Sequence, residues 1–228
     1  MKIVEFWFDP ISPYAYLAFE RLPQALEGVS YSVDYRPVLF AGMLAHWGQK
    51  GPAEIEPKRA WTFRQVQWLA QQHGVPLQAP ARHPFNPLAL LRLLLACAPA
   101  GGTPGRWAVE SVLRHVWVGG GADAQDPQRL AALTAALAPV RDPAGATVKA
   151  ELRAATESAI AQGVFGVPSM VCDGRLYWGV DGLAMLAAAL RGDPWFEGPD
   201  WDAAGAPRAG VQRGAGPSGV SLGAAAAP

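Results

Sequence analysis

The sequence predicts an α/β fold in which a long helical segment interrupts a small sheet. A strand, a helix and a strand follow one another within the first 39 residues. Strand patterns are then absent from about residue 40 to residue 163, and a hairpin followed by a helix comes after that segment. We therefore expect one discontinuous α/β domain, residues 1–39 and 164–197, with a helical domain of residues 40–163 inserted into it.

The opening of the chain predicts a parallel pair of strands joined by a crossover helix. Residues 3–8 form an apolar strand, and the segment Asp9-Pro10-Ile11-Ser12-Pro13 ends it. Residues 14–26 have helical spacing, and residues 31–39 alternate well enough for a second strand. This order of elements favours parallel pairing.

The helical segment carries a repeated helix-start pattern, in which a capping residue precedes a proline. The capping side chain accepts a hydrogen bond from a free N–H group, and proline suits the first helical position. The pattern predicts helix starts at Asn86-Pro87, Thr103-Pro104, Asp126-Pro127 and Asp142-Pro143. Residues 57–72 and 143–162 are long enough for several helical turns each.

The last part of the predicted domain is a hairpin and a helix. Asp173-Gly174 predicts a two-residue hairpin turn between Ser169–Cys172 and Arg175–Trp178, and Asp181 is expected to cap a helix at residues 183–190. The complete order is that of a thioredoxin-like fold with a large all-helical insertion. Residues 198–228 are rich in Gly, Ala and Pro, and we expect disorder there, above all beyond about residue 206.

Composition excludes several classes of function. Nineteen basic residues balance nineteen acidic ones, so no charge surplus favours nucleic acid. No apolar run approaches the length that a membrane-spanning helix needs, and an acidic residue near the N-terminus argues against a signal peptide. We therefore expect a cytoplasmic protein with no membrane or nucleic-acid partner.

The two cysteines, Cys97 and Cys172, lie far apart and do not form a C-x-x-C pair. A disulfide framework and a cysteine-based zinc site are therefore disfavoured. The four histidines have no metal-ligand spacing, so we expect no metal. Both cysteines are interpreted as buried free thiols, because free cysteine packs as a small hydrophobe.

Ser12 lies between the first strand and the first helix, with Pro13 in the first helical position. The simplest interpretation is an N-cap. The position also has chemical value, because a helix N-terminus presents free N–H groups and a partial positive charge. A serine there cannot do redox chemistry, but it can donate a hydrogen bond to a thiolate that a ligand brings in.

Two later segments offer comparable alternatives. Val167-Pro168 precedes a strand, and a cis bond there would expose the Val167 N–H and C=O for pairing with a peptide, although spacing alone does not decide between cis and trans. Trp178-Gly179-Val180-Asp181 precedes the last helix. Asp181 fits both an N-cap and a carboxylate that meets an incoming ammonium.

These segments together resemble the 2-hydroxychromene-2-carboxylate isomerase family. The resemblance lies in residues 6–18, in residues 164–169, and in residues 178–181 with Met185-Leu186. Two matches lie in the helical segment: Pro57-Lys58 with Trp61, and residues 84–92. The resemblance runs from Met1 to about Pro194, and five motifs in order at family spacing are a strong indication.

The resemblance implies a DsbA-like fold related to kappa-class glutathione transferases, with reduced glutathione as cofactor and a homodimeric state. Ser12 would contact the glutathione sulfur, and Val167, before a cis Pro168, would pair with the tripeptide backbone. Trp178, Gly179, Val180 and Asp181 would hold the γ-glutamyl end, with Asp181 near its ammonium. Lys58 and Asn86 would face the substrate from the helical segment.

The implied reaction converts 2-hydroxychromene-2-carboxylate, or a similar intermediate of aromatic catabolism, to trans-o-hydroxybenzylidenepyruvate. A thiolate would add to the conjugated system and leave again after bond rotation. A kappa-type transferase or peroxidase and a non-catalytic thioredoxin-like binding module are the alternatives. A disulfide oxidoreductase is disfavoured, since Ser12 has no sulfur.

The chain departs from the family pattern at three places, one of which is Pro87, which replaces a small polar residue after Asn86. Val180 and Gly182 replace an Asn and an Arg that members often carry around this position. Gln65 and Trp68 stand where an Asp and an Arg are expected. A backbone contact through Val180 survives the loss of the Asn better than a side-chain contact would, whereas the change at Gln65 and Trp68 bears on the substrate pocket.

Overall fold

The computed structural model describes residues 1–206, and its strands and helices follow the predicted order. The strands are β1 (Lys2–Phe8), β2 (Tyr31–Pro37), β3 (Ser169–Cys172) and β4 (Arg175–Trp178). The helices are α1 (Pro13–Ala25), α2 (Phe40–His46), α3 (Glu56–Gln72), α4 (Leu88–Ala96), α5 (Arg106–Trp117), α6 (Pro127–Leu137), α7 (Ala146–Ala161), α8 (Gly182–Leu190) and α9 (Pro199–Gly205). Short 3-10 helices occur at Pro52–Glu54 and Pro194–Phe196.

The four strands form one mixed sheet in the order β2-β1-β3-β4. β1 and β2 are parallel, as predicted, whereas β3 is antiparallel to both β1 and β4. The hairpin turn is also confirmed, because Asp173 and Gly174 both have positive φ, at 50° and 75°. The thioredoxin-like fold with a large helical insertion is therefore confirmed.

Helices α2 to α7 follow β2 and precede β3, and two of them, α2 and α7, share a hydrophobic cluster with the sheet. One cluster joins Trp7 of β1 to Met43 of α2, Ala159 of α7 and Val167. A second cluster joins α4 to α7, centred on buried Leu91 and its neighbours. Met1–Gly192 forms one compact unit. The division into a discontinuous domain and an inserted domain stays a prediction.

The helix-start pattern is correct at one of the four predicted places. Asp126 caps α6, where its side chain accepts a hydrogen bond from the Arg129 N–H and Pro127 opens the helix. The other helices begin later than predicted, at Leu88, Arg106 and Ala146.

Two of these three misplaced starts have a local cause. The Asn86 side chain accepts from the Leu88 N–H at 3.0 Å, and the Asp142 side chain accepts from the Ala144 N–H at 2.8 Å. These bonds to the residue two positions on form turns that compete with a helix start.

Asp181 does not cap α8, which corrects the prediction. It occupies the N-cap position, but its φ of −67° and ψ of −30° are helical, and its side chain makes no capping hydrogen bond. A capping side chain reaches the first turn from an extended backbone. The Asp181 carboxylate is exposed instead.

Residues 193–206 belong to a second unit. Helix α9 lies inside the segment for which we expected disorder, so that expectation is wrong for Pro199–Gly205. Pro199 suits the first turn, and Asp200 and Asp202 are favourable near a helix N-terminus. Trp195, Phe196 and Trp201 pack their rings together in this unit. Residues 207–228 lie outside the described residues.

None of the helices between residues 1 and 206 is both long and apolar enough to cross a bilayer. The same residues contain no group of three or more His, Cys, Asp or Glu side chains that could hold a metal ion.

Candidate functional site

Ser12 is an N-cap and also contacts the loop before β3. Its backbone is extended, and its Oγ accepts a hydrogen bond from the Ala15 N–H at 3.2 Å. The same hydroxyl donates to the Val167 carbonyl oxygen at 3.3 Å, across 155 residues of sequence. Ser12 is only 7% exposed. The chain thus holds this hydroxyl between a helix N-terminus and the Val167 peptide.

The start of α1 also leaves one N–H group without a partner. The Ser12 N–H donates to the Asp9 carbonyl oxygen at 3.0 Å, and Pro13 has no N–H. The Tyr14 N–H has no acceptor among residues 1–206. A free N–H group at a helix start attracts an anion, and the positive end of the helix dipole adds to this attraction.

The peptide bond between Val167 and Pro168 is cis, as predicted. The Val167 carbonyl accepts from Ser12, and the Val167 N–H has no acceptor within residues 1–206. The Pro168 carbonyl accepts from the Gly179 N–H at 2.9 Å. That bond ties the loop before β3 to the segment that follows β4.

Trp178 ends β4 opposite Ser169 and is 54% exposed. Its indole lies against the Phe165 ring, with 5.1 Å between the ring centroids. A Cβ at position 166 would lie 2.7 Å from Trp178 Nε1, so glycine at that position leaves room for the indole. Trp178 therefore forms an aromatic border beside the Val167 peptide.

The start of α8 places a carboxylate close to free backbone N–H groups, which carry a partial positive charge. The Asp181 carboxylate is exposed and makes no capping bond. The N–H groups of Asp181 and Gly182 have no acceptor among the described residues. A carboxylate beside free helix N–H groups suits a ligand that carries an ammonium and a carboxylate together.

The loop of residues 9–12 is held by buried side chains that the sequence analysis did not single out. The Asp9 carboxylate is fully buried and accepts from the N–H groups of Ile11 and Phe40, each at 3.0 Å. Burial raises the pKa of Asp9 to about 7. Trp117 Nε1 donates to the Pro10 carbonyl at 2.9 Å, and His83 Nε2 lies 2.8 Å from the Ile11 carbonyl.

Tyr14 is a further neighbour that the sequence analysis missed. Its hydroxyl donates to Gln65 Oε1 of α3 at 2.6 Å. Burial raises the pKa of Tyr14, and the Asp181 carboxylate contributes to the rise. The Tyr14 side chain therefore contacts α3 through Gln65. Tyr14 lies in the family motif of residues 6–18, but only the tertiary structure identifies Gln65 as its hydrogen-bond partner.

Lys58 and Asn86 are not brought into contact with the other candidates. Lys58 lies exposed in the first turn of α3, and Asn86 is exposed with its side-chain oxygen on the Leu88 N–H. No hydrogen bond or ion pair within residues 1–206 joins either residue to Ser12, Val167 or Asp181. Their contact with a substrate stays a prediction.

Cys97 and Cys172 are both free thiols. Cys172 is buried as predicted, whereas Cys97 is only partly buried at the end of α4. Burial raises the pKa of both thiols, which disfavours the reactive thiolate form.

The chain is similar to known proteins along most of its length. The family model of the DSBA-like thioredoxin domain matches residues 3–191. A 2-hydroxychromene-2-carboxylate isomerase of Sphingobium xenophagum is 30% identical over 199 residues, which cover 83% of this chain and 98% of that protein. Glutathione S-transferase kappa 1 of Rattus norvegicus is 27% identical over 218 residues, 86% of this chain and 93% of that protein.

The fold comparison gives the same relationship. A solved 2-hydroxychromene-2-carboxylate isomerase superposes with a TM-score of 0.71 at 25% identity, covering 83% of this chain and 94% of that one. The named relatives are thus isomerases and glutathione S-transferases. The chain belongs to the DsbA-like thioredoxin-domain family, and within it to the family of 2-hydroxychromene-2-carboxylate isomerases, with glutathione S-transferases of the kappa class as relatives.

Proposed function

We propose that this protein is a glutathione-dependent isomerase that acts on 2-hydroxychromene-2-carboxylate or a similar aromatic-catabolism intermediate. The product would be trans-o-hydroxybenzylidenepyruvate. The observation that carries the proposal is the 3.3 Å contact between Ser12 Oγ and the Val167 carbonyl. A cysteinyl residue whose backbone pairs with Val167 would bring its sulfur towards the Ser12 hydroxyl at the start of α1.

The residues present fit glutathione along its length. Val167 offers an N–H without an acceptor among residues 1–206 and a carbonyl at the position where an added strand would pair. Asp181 offers an uncapped carboxylate for the γ-glutamyl ammonium. The free N–H groups of Asp181 and Gly182 suit the γ-glutamyl carboxylate, and Trp178 covers the segment between.

The ring C–O bond of the hemiketal substrate would first break, and its hydroxyl proton would pass to the ring oxygen, which gives a phenol and an α-keto acid. Bound glutathione would then supply a thiolate that adds to the conjugated double bond and leaves again, so that this bond is single and can rotate between addition and elimination. The chain would supply two donors for that thiolate. The Ser12 hydroxyl would turn from the Val167 carbonyl towards the sulfur, and the Tyr14 N–H would donate along the helix axis. Loss of the Ser12 bond frees the Val167 carbonyl for the cysteinyl N–H.

The substrate would enter from the side of the helical insertion. We assign Lys58 and Asn86 to the substrate side of the site, as the family resemblance implies. Both side chains are exposed, and Lys58 forms no ion pair within residues 1–206. Trp178 and Phe165 offer aromatic surface beside the sulfur position. Cytoplasmic location and a homodimeric state belong to the same proposal.

The second candidate function is that of a kappa-type transferase or peroxidase. The 27% identity to the rat kappa-class transferase favours it. Gln65 and Trp68 of α3 also replace the charges expected in isomerases, which changes the substrate side more than the glutathione side. Such an enzyme would use the same thiolate and donors on another electrophile.

An assay of the purified full-length chain with 2-hydroxychromene-2-carboxylate separates these functions. We expect isomerisation with reduced glutathione and none with S-methylglutathione, which keeps the peptide contacts but has no thiol. Turnover without glutathione would contradict the proposal. Conjugation of a panel of electrophiles without isomerisation would establish the transferase, and tight binding without any turnover would establish a binding module.

A further inference from the structure

The peptide group between Ile11 and Ser12 is held at both of its polar atoms. The Ser12 N–H donates to the Asp9 carbonyl oxygen at 3.0 Å, and the Ile11 carbonyl lies 2.8 Å from His83 Nε2. The orientation of this peptide group sets the position of the Ser12 backbone, and hence of its hydroxyl.

His83 lies among aromatic rings, next to the loop that it contacts. Its imidazole makes edge contacts with Phe63 and Phe85, at centroid distances of 5.1 and 6.2 Å, and a tilted contact with Trp117 at 5.8 Å. Burial lowers the pKa of His83 by more than the bond to the Ile11 carbonyl raises it, and the nearby Arg59 charge lowers it further. The lowered pKa favours the neutral ring. Since its partner is a carbonyl, the single proton lies on Nε2.

The other ring nitrogen has no partner. His83 Nδ1 is buried and has no hydrogen bond within residues 1–206. A buried polar atom without a partner costs free energy that a phenylalanine in the same aromatic surroundings would not cost. Packing alone therefore does not favour histidine at this position. The gain that histidine offers is the hydrogen bond to the Ile11 carbonyl.

We propose that His83 is a positioning residue of the thiolate site, which orients the Ile11–Ser12 peptide so that the Ser12 hydroxyl reaches the glutathione sulfur. This inference rests on the proposed function. His83 acts through the loop and does not touch the ligand, because Nδ1 is buried and Nε2 is occupied. It also links the insertion loop that carries Asn86 to the loop that carries Ser12.

The decisive readout is the pKa of the bound glutathione thiol, followed through the ultraviolet absorbance of the thiolate. H83F keeps a ring of similar shape but removes the donor. We expect the thiol pKa to rise by about half a unit to one unit, with turnover at neutral pH falling roughly 3- to 10-fold. Glutathione affinity at acidic pH should stay unchanged, since the contacts of Val167 and Asp181 do not involve His83. The urea midpoint of H83F should not fall below that of H115F, a control variant at a distant histidine.

Two amide variants and one distant histidine make the test specific. The side-chain amide of H83Q can take the place of Nε2 and should restore most of the wild-type thiol pKa, whereas the shorter H83N should not. His115 makes a matched bond, 3.0 Å from Nε2 to the Ala124 carbonyl, and burial also lowers its pKa. H115F should therefore leave the thiol pKa unchanged.

Several outcomes would overturn the inference. A folded H83F or H83N protein with the wild-type thiol pKa removes His83 from the site while leaving the proposed function intact. Equal shifts in H83F and H115F would mean a general structural effect. If the wild-type protein binds no glutathione at all, the inference and the proposed function fall together.

Discussion

The Ser12 hydroxyl has two hydrogen-bond partners in the structure, and both bear on its chemistry. It accepts from the Ala15 N–H and donates to the Val167 carbonyl. The first bond is a capping bond, which any serine N-cap of this helix would form. The second bond uses the hydroxyl proton that a hydrogen bond to a thiolate would require. In the proposed mechanism, glutathione binding would exchange the Val167 carbonyl for the sulfur as the partner of the Ser12 hydroxyl, and the backbone of the bound tripeptide would satisfy that carbonyl in return.

Sequence motifs could identify residues that act through a local feature. Ser12, Val167 and Asp181 lie at a helix start, before a proline and at the end of a hairpin, and each of these places is visible in the sequence. Asp9 and His83 could not be identified in this way. Their roles depend on contacts with Phe40 and Ile11 that arise only when the insertion packs against the loop.

Replacement of Asp181 by alanine tests the ligand role of this carboxylate. We expect Asp181→Ala to weaken glutathione binding by about 1.5–3 kcal/mol, the usual value of a hydrogen bond to a charged group. Isothermal titration calorimetry measures this change. Asp142→Ala removes an exposed carboxylate elsewhere in the chain and should leave the dissociation constant unchanged. Equal affinity of the Asp181→Ala and wild-type proteins would exclude an ammonium contact.

At the scale of single elements, helix starts were the least predictable feature. Four pairs of a capping residue and a proline look alike in the sequence, but only Asp126-Pro127 opens a helix. The side-chain oxygens of Asn86 and Asp142 instead accept from the N–H two residues on, which forms a turn. The choice depends on where the next helix finds an apolar face to pack against, which is a tertiary property.

Asp126 and Asp181, in the N-cap positions of α6 and α8, should therefore differ in their effect on stability. Asp126→Ala removes a capping bond and should lower the free energy of unfolding by about 1 kcal/mol. Asp181→Ala removes no capping bond and should change it by less than about 0.5 kcal/mol. Urea denaturation of both variants measures the difference. A larger loss in Asp181→Ala than in Asp126→Ala would contradict the observed geometry.

At the scale of the whole molecule, the order of elements was predictable because apolar periodicity changes at residues 40 and 163. The positions of the inserted helices relative to the sheet were not predictable in the same way. They depend on clusters such as that of Trp7, Met43 and Ala159, whose members lie far apart in sequence. Helix α9 was missed because a Gly- and Ala-rich composition concealed the local start formed by Pro199 and Asp200.

The buried Asp9 gives the molecule a pH-dependent stability with a defined sign. Its pKa is raised from 3.8 to about 7 by burial. Between these values the folded state keeps a proton that the unfolded state has lost, so stability falls as the pH rises from about 4 to about 7. Asp9→Asn cannot titrate. The stability of the wild type relative to Asp9→Asn should therefore decrease across this range, by at most about 1.4 kcal/mol per pH unit.

Urea denaturation at a series of pH values checks this expectation, and the side-chain amide oxygen in the Asp9→Asn variant can still accept from the Ile11 N–H. Parallel pH profiles of the two proteins would show that Asp9 has an ordinary pKa in the folded state. A profile with the opposite sign would require a cation near Asp9, and none is among the causes of its raised pKa.

The proposed stabilisation of a glutathione thiolate by Ser12 is tested most directly by the thiol pKa of glutathione bound to Ser12→Ala. The variant keeps the helix N-terminus and the Tyr14 N–H, so we expect a partial effect: a thiol pKa raised by about one unit, equivalent to about 1.4 kcal/mol. The capping loss should lower stability by about 1 kcal/mol, and glutathione affinity at acidic pH should stay similar. Turnover at neutral pH should fall in parallel with the thiolate fraction. A Ser12→Ala protein that binds glutathione with an unshifted thiol pKa and full turnover would contradict the account.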